Sequence, residues 1–206
     1  SISRDNNWVA TVGGPIVKNK LFYFGTYEQQ KIRGAGGTAT ALVLTPEQLA
    51  QAAPVSRQLF EAVKGVTSAT GQVSNPAPVG SNSIAYSGKI DWVISEKDSL
   101  NGRYAYQDSD TRSRSLTFIS SNLPTNGASS TSRPQSVALS YTRNINATTV
   151  LNQMGTFLRS NPNFIPLENI SAPTVAFQSG QAELGTWAGL PQGRTQNVYN
   201  SLTTLT

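Results

Sequence analysis

The stretch Ser87–Asp108, SGKIDWVISEKDSLNGRYAYQD, decides the fold. In its first run Ile90, Trp92 and Ile94 point one way while Lys89 and Asp91 point the other. In its second run Leu100, Gly102, Tyr104 and Tyr106 share one face, and Asn101, Arg103, Ala105 and Gln107 share the opposite one. This is the period of two of a half-buried strand. The polar Ser95-Glu96-Lys97-Asp98 between the runs reads as a turn. Each strand therefore separates an apolar medium from water, which leaves a soluble sheet or a membrane barrel.

Working outward, the same pattern recurs on both sides. A hairpin is expected at about 8–30, with Lys18-Asn19-Lys20 turning between WVATVGGPIV and LFYFGTYEQQ, and another at about 135–160, turning at Asn146-Ala147-Thr148. Alternation is weaker in Leu151–Arg159, where Gln153 and Arg159 share a face with Leu151 and Phe157. The connections between hairpins, about 32–82, 111–133 and 162–195, are far longer than the usual ~4–6 residues. Short turns thus alternate with long loops, so the long loops gather at one end of the sheet. An outer-membrane barrel sorts its connections this way, with short periplasmic turns and long external loops. The expectation is an all-β chain, an antiparallel transmembrane β-barrel fragment of about six strands as three hairpins. Residues 1–206 form one partial barrel domain of a larger protein, with Val198, Leu202 and Leu205 opening a further strand. A soluble β-sandwich that binds carbohydrate is the alternative.

Composition narrows the function classes. Only 13% of the 206 residues are charged, and no apolar run approaches the ~20 residues of a membrane helix. A barrel strand needs only ~9–11. Cysteine and histidine are absent, which removes disulfides, thiolate chemistry, zinc held by its usual ligands and any histidine base. The expectation is a non-enzyme with no cofactor and no catalytic, cofactor-binding or metal residues. The net charge of +5 has no focus along the sequence, so nucleic acid is not an expected partner.

Gly34-Ala35-Gly36-Gly37 lacks the Gly-Lys-Ser/Thr of a phosphate loop and reads as loop flexibility. Asp108-Ser109-Asp110 resembles a calcium loop, but Arg112 takes the next ligand position and the required glycine is missing; it reads as a strand-end acidic pair. Glu28, Asp91, Glu96, Asp98, Asp108 and Asp110 mostly fall at strand ends and turns. Arg103 lies on the polar face beside Asn101 and Gln107, with Lys89 and Asp91 on the facing strand, and is expected in a structural ion pair. Thr45-Pro46-Glu47-Gln48 starts a helix with a capping box, Pro54 interrupts it, and Leu59, Phe60 and Val63 form an apolar stripe that Gly65 stops. That helix is expected to pack on its neighbours rather than to act as a ligand-contacting lid. Gly71–Ser83 reads as irregular, exposed chain. Trp8, Phe22, Tyr23, Phe24, Tyr27, Tyr86, Trp92, Tyr104, Tyr106 and Tyr141 all fall in or beside strands, where a barrel needs its interfacial aromatics.

Two motifs resemble a known family. Gly13-Gly14-Pro15-Ile16-Val17-Lys18-Asn19-Lys20-Leu21-Phe22-Tyr23-Phe24-Gly25 followed by Tyr27-Glu28 is similar to a segment of TonB-dependent outer-membrane receptors, closest to the Oar-like subgroup with its carboxypeptidase-regulatory-like domain. Lys89-Ile90-Asp91-Trp92, Glu96-Lys97-Asp98-Ser99-Leu100 and Gly102-Arg103-Tyr104 resemble the next hairpin of that barrel. The resemblance implies an early part of a large barrel in the bacterial outer membrane, about strands two to seven of about 22. It also implies energy-coupled uptake of a bulky or scarce extracellular ligand. Implied partners are outer-membrane lipid, the rest of the barrel, a plug, and the TonB complex contacted through a segment upstream of Ser1. No ligand-binding residue is carried over, because the family's ligand contacts come from plug and variable loops. A non-transporting adhesin or porin-like barrel is the alternative within the membrane class.

Overall fold

The computed structural model describes residues 3–113, 123, 127–167, 174–175, 183–187 and 189–206. One sheet holds ten strand segments. In chain order they are β1 (Ser3–Val17), β2 (Leu21–Leu42), β3 (Gln72–Val93), β4 (Asp98–Ser113), β5 (Ala128–Ser132), β6 (Gln135–Asn146), β7 (Thr149–Ser160), β8 (Asn163–Pro166), β9 (Gln192–Gly193) and β10 (Gln196–Leu205). Both β5 and β6 pair antiparallel with β4, β8 and β7 continue the ladder on them, and β9 and β10 are its last members, leaving the sheet open. Pro134 and Pro162 lie at the breaks between β5 and β6 and between β7 and β8, where a ladder donor is missing. Functionally this is a meander of seven long strands, one more than the three hairpins supply, and the tail is the seventh.

Local chemistry sets the three turns. Asn19 takes the left-handed conformation (φ 60°) and the Lys20 N–H donates to the Val17 carbonyl at 3.0 Å. Ser95 Oγ accepts from the N–H groups of Lys97 and Asp98, both at 3.1 Å. Asn146 Oδ1 accepts from the Thr148 N–H at 2.9 Å. All three turns lie at one end of the sheet and the long connections at the other.

The long loops are shorter than the sequence suggests. β2 runs ten residues past Ile32 to Leu42, and β3 starts at Gln72, so the loop expected at about 32–82 contracts to 43–71. Gly34-Ala35-Gly36-Gly37 is strand, with a register irregularity between Ala35 and Thr38, and Gly71–Ser83 is mostly strand as well. Pro76 and Pro78 are tolerated because β3 pairs with β4 only from Val79 onward; beyond it β2 and β3 form a two-stranded ribbon whose outer edges have no strand partner among the described residues. A strand of 22 residues is about 70 Å long, whereas ~9–11 residues cross a membrane. At least half of this hairpin therefore projects beyond the bilayer.

Neither sheet face is covered among the described residues: Tyr199 on one face is 73% exposed and Val9 on the other 63%. A β-sandwich would bury one face against a second sheet, and this reading is set aside. The buried apolar cluster lies at the loop end, where Ala41, Val43, Phe60, Val63, Leu123 and Leu184 meet. Helices α1 (Pro46–Ala50) and α2 (Pro54–Ala62) contribute to it. Thr45 caps α1 as expected, its Oγ1 accepting from the Gln48 N–H while Gln48 Oε1 accepts from the Thr45 N–H at 2.8 Å. At the end of α2, Lys64 rather than Gly65 occupies the left-handed position (φ 52°), with the Lys64 N–H donating to Glu61 and the Gly65 N–H to Phe60. Gly65 serves a different purpose: a Cβ there would stand 2.5 Å from the Phe60 ring.

Candidate functional site

Directly paired residues share a face, so the register defines both surfaces of the wall. On the outer face, successive cross-strand rows read Leu21–Trp92–Leu100–Tyr141, Tyr23–Ile90–Gly102–Leu139, Gly25–Gly88–Tyr104–Val137–Phe157–Tyr199, and Tyr27–Tyr86–Tyr106. The rings of Tyr86 and Tyr106 stack at 4.8 Å, and Phe157 meets Tyr199 at 5.0 Å. These rows form an apolar band edged by Tyr and Trp, as a lipid-facing wall requires. Its lower edge is tied to the neighbouring turn, where the Tyr141 hydroxyl donates to Asp98 Oδ1 at 2.6 Å. The awkward residues of β7 fall at the band's two margins, Gln153 opposite Tyr141 and Arg159 opposite Gln135.

The opposite face carries a lattice of short polar side chains interrupted by Val9, Phe22, Phe24, Leu158 and Leu202. Asn7 Nδ2 donates to Glu28 Oε1 at 3.2 Å, Gln30 Nε2 to Asp5 Oδ2 at 3.1 Å, and Gln107 Nε2 to Ser83 Oγ at 3.0 Å. Thr26 and Ser87 hydroxyls meet at 2.8 Å, and Thr142 Oγ1 donates to Asn152 Oδ1 at 2.8 Å. Arg103 is on this face as expected, but it stands directly opposite Lys89 and, among the described residues, has no carboxylate within ion-pair distance, so the expected ion pair is not formed. Two like charges so placed repel. Asp91 offsets them: it pairs with Lys89 Nζ at 2.9 Å and accepts from Asn101 Nδ2. The pair is about half exposed, so it contributes at most ~1 kcal/mol. Glu28, Arg103 and Gln107 line a depression of about 430 Å³ on this surface. Charges of both signs around small side chains suit contact with a polar surface.

Two aromatics depart from their expected place. Phe22 and Phe24 face inward, opposite Asp91 and Lys89, while Leu21 and Tyr23 face outward. The Phe24 ring lies over Gly13, where a Cβ would stand 2.7 Å from it. The Gly-Gly-Pro motif therefore makes room for a ring, and a bulge follows between Pro15 and Val17. The run Leu21-Phe22-Tyr23-Phe24 is apolar on both faces, so alternation alone did not place these rings. The partner register did.

Asp108 and Asp110 lie on the outer face above the apolar band. Asp108 pairs with Arg133 at 3.2 Å, and Asp110 with Arg112 at 3.9 Å and Ser129 Oγ at 3.0 Å. Among the described residues no three metal-ligating side chains converge, and no helix is long and apolar enough to cross a membrane. Residues 168–173, 176–182 and 188 of the third long loop, expected at about 162–195, lie outside the described residues.

The family model for an outer membrane beta barrel domain matches residues 2–206. No curated protein and no solved structure matches the chain significantly. An open meander with an aromatic-edged apolar face, a polar opposite face and sorted connections agrees with that match over nearly the whole length. The chain belongs to the outer membrane beta barrel domain family, and its place is the outer membrane.

Proposed function

We propose that this wall segment belongs to a TonB-dependent receptor of the Oar-like kind, which takes up a bulky or scarce extracellular ligand by energy-coupled transport. It acts as a transporter, not an enzyme, and needs no cofactor. Its partners are outer-membrane lipid, the rest of its own barrel, a plug, the TonB complex and the ligand. The supporting observation is the set of large apolar side chains on the inner face: Val9 is 63% exposed, Phe24 47%, Leu158 46% and Leu202 56%. In a water-filled pore each would forgo roughly half of the ~1.5–3 kcal/mol that full burial is worth. A plug seated in the barrel covers them, which favours a plugged receptor over a porin-like pore or an unplugged adhesin. The motif at Gly13–Glu28 supports the same reading.

A Phe24→Cys variant of the full-length protein, with any cysteine outside residues 1–206 replaced, tests the plug, since these residues contain none. With the segment upstream of Ser1 intact, a small hydrophilic thiol reagent is expected to label Cys slowly, and rapidly once that segment is deleted. Equal labelling of both forms returns the lumen to an open barrel. Capture of TonB by the intact form alone would support the coupling, and capture by neither form would remove it.

A further inference from the structure

Above the Tyr27–Tyr86–Tyr106 row the outer face gathers cations that are far apart in sequence. Arg4 stands directly opposite Arg33, whose other neighbour Gly80 stands opposite Arg112. One row closer to the apolar band, Lys31 lies between Asn6 and Asn82. Adjacent strands are about 4.8 Å apart, so the three arginines span roughly 15 Å in one line. With Arg133 this surface carries five cations against two carboxylates, Asp108 and Asp110, and both carboxylates are already engaged by Arg133 and Arg112. Arg33 is held along the wall, donating to Asn82 Oδ1 at 2.9 Å and to the Ser81 carbonyl at 3.2 Å. Arg4 and Lys31 have no carboxylate within ion-pair distance among the described residues.

Arginines facing each other across a ladder are unfavourable unless an anion sits between them. The long loops mark this end as external, so the row borders the headgroup level of the outer leaflet. We infer that Arg4, Lys31, Arg33 and Arg112 form a docking surface for the phosphates of the outer leaflet's phosphorylated glycolipid. Guanidinium groups suit the task because their planar fork meets phosphate oxygens in pairs. Four rows lower, about 26 Å along the strand from Arg33 and beyond the Tyr27–Tyr86–Tyr106 row, the outer face has an apolar depression of about 480 Å³ with Tyr23, Gly25, Gly88, Gly102 and Tyr104 in its lining. The inference rests on the outer-membrane placement and is independent of TonB coupling.

The test uses the full-length protein extracted from its own outer membrane in mild detergent, with lipid retained per barrel counted by native mass spectrometry. The wild type is expected to retain phosphorylated glycolipid, and an Arg4→Gln/Lys31→Gln/Arg33→Gln variant to lose about five-fold affinity for each cation removed. A Lys18→Gln/Lys20→Gln control at the turn end is expected to retain it as the wild type does. A second arm offers the delipidated wild type glycolipid with and without its phosphates, which needs no folded variant. Undiminished retention by the triple variant, equal binding of the dephosphorylated glycolipid, or preferential retention of ordinary phospholipid each overturns the inference.

Discussion

The sheet has two regions built on one alternation, and they solve burial in opposite ways. Below the Tyr27–Tyr86–Tyr106 row the wall leaves Ile90 50% and Trp92 44% exposed and relies on lipid to cover them. Above it the outer face turns polar, with Lys31, Arg33, Asp108, Asp110 and Arg112 at the positions that carry Tyr, Ile and Leu lower down. That upper region supplies its own core, in which Val63 and Leu123 are fully buried. The difference teaches that a period of two states only that a strand has two sides. What each side meets is decided by height along the strand.

Charge insertion breaks the comparison most sharply. Ile90→Arg, in the middle of the apolar band, is expected to destabilise the full-length barrel by about 2–4 kcal/mol, while Gln29→Arg on the same face above the tyrosines costs about 0–1. Urea unfolding of both variants in lipid bilayers measures this, and equal costs would dissolve the boundary between the regions. A smaller effect is expected in the cap. Gly65→Ala places a methyl against the Phe60 ring at 2.5 Å and should cost about 1–3 kcal/mol of overpacking. Because the cap has its own core, limited proteolysis should then cut the loops sooner while the heat-induced mobility shift of the barrel stays unchanged. A barrel that loosens together with its cap would show one cooperative unit instead. The gentlest probe is fluorescence of single-Trp variants in brominated lipid. Trp92 on the apolar face is expected to be quenched, and Trp187 in the loop region is not; quenching of both would place the loops in the bilayer.

Much of the wall was legible because its causes are local. Alternation in Ser87–Asp108 needs no partner to be read, and Asn19, Ser95 and Asn146 turn the chain through their own backbone and side chains. Thr45 and Gln48 cap a helix from three residues apart. Less legible was the reach of the strands. Gly36-Gly37 and Pro76-Ala77-Pro78 carry strong loop chemistry, yet the β2–β3 ladder runs through them because a ribbon edge with no strand partner among the described residues tolerates a missing donor. Nor does any short window contain the candidate sites. Glu28 and Arg103 line one depression from two strands 75 positions apart in sequence, and Arg4, Arg33 and Arg112 come from three strands.

The sequence by itself determined that strands alternate between lipid and water, where the chain turns, and at which end the long connections gather. These properties depend on neighbours a few residues away. Only the tertiary structure decided that Phe22 and Phe24 face inward, that the loop helix is buried against Val43 and Leu184, and that scattered basic residues form one row. Those outcomes follow from cross-strand register, which selects partners tens of residues apart by hydrogen bonding and packing. A one-residue slip would send every side chain to the other face.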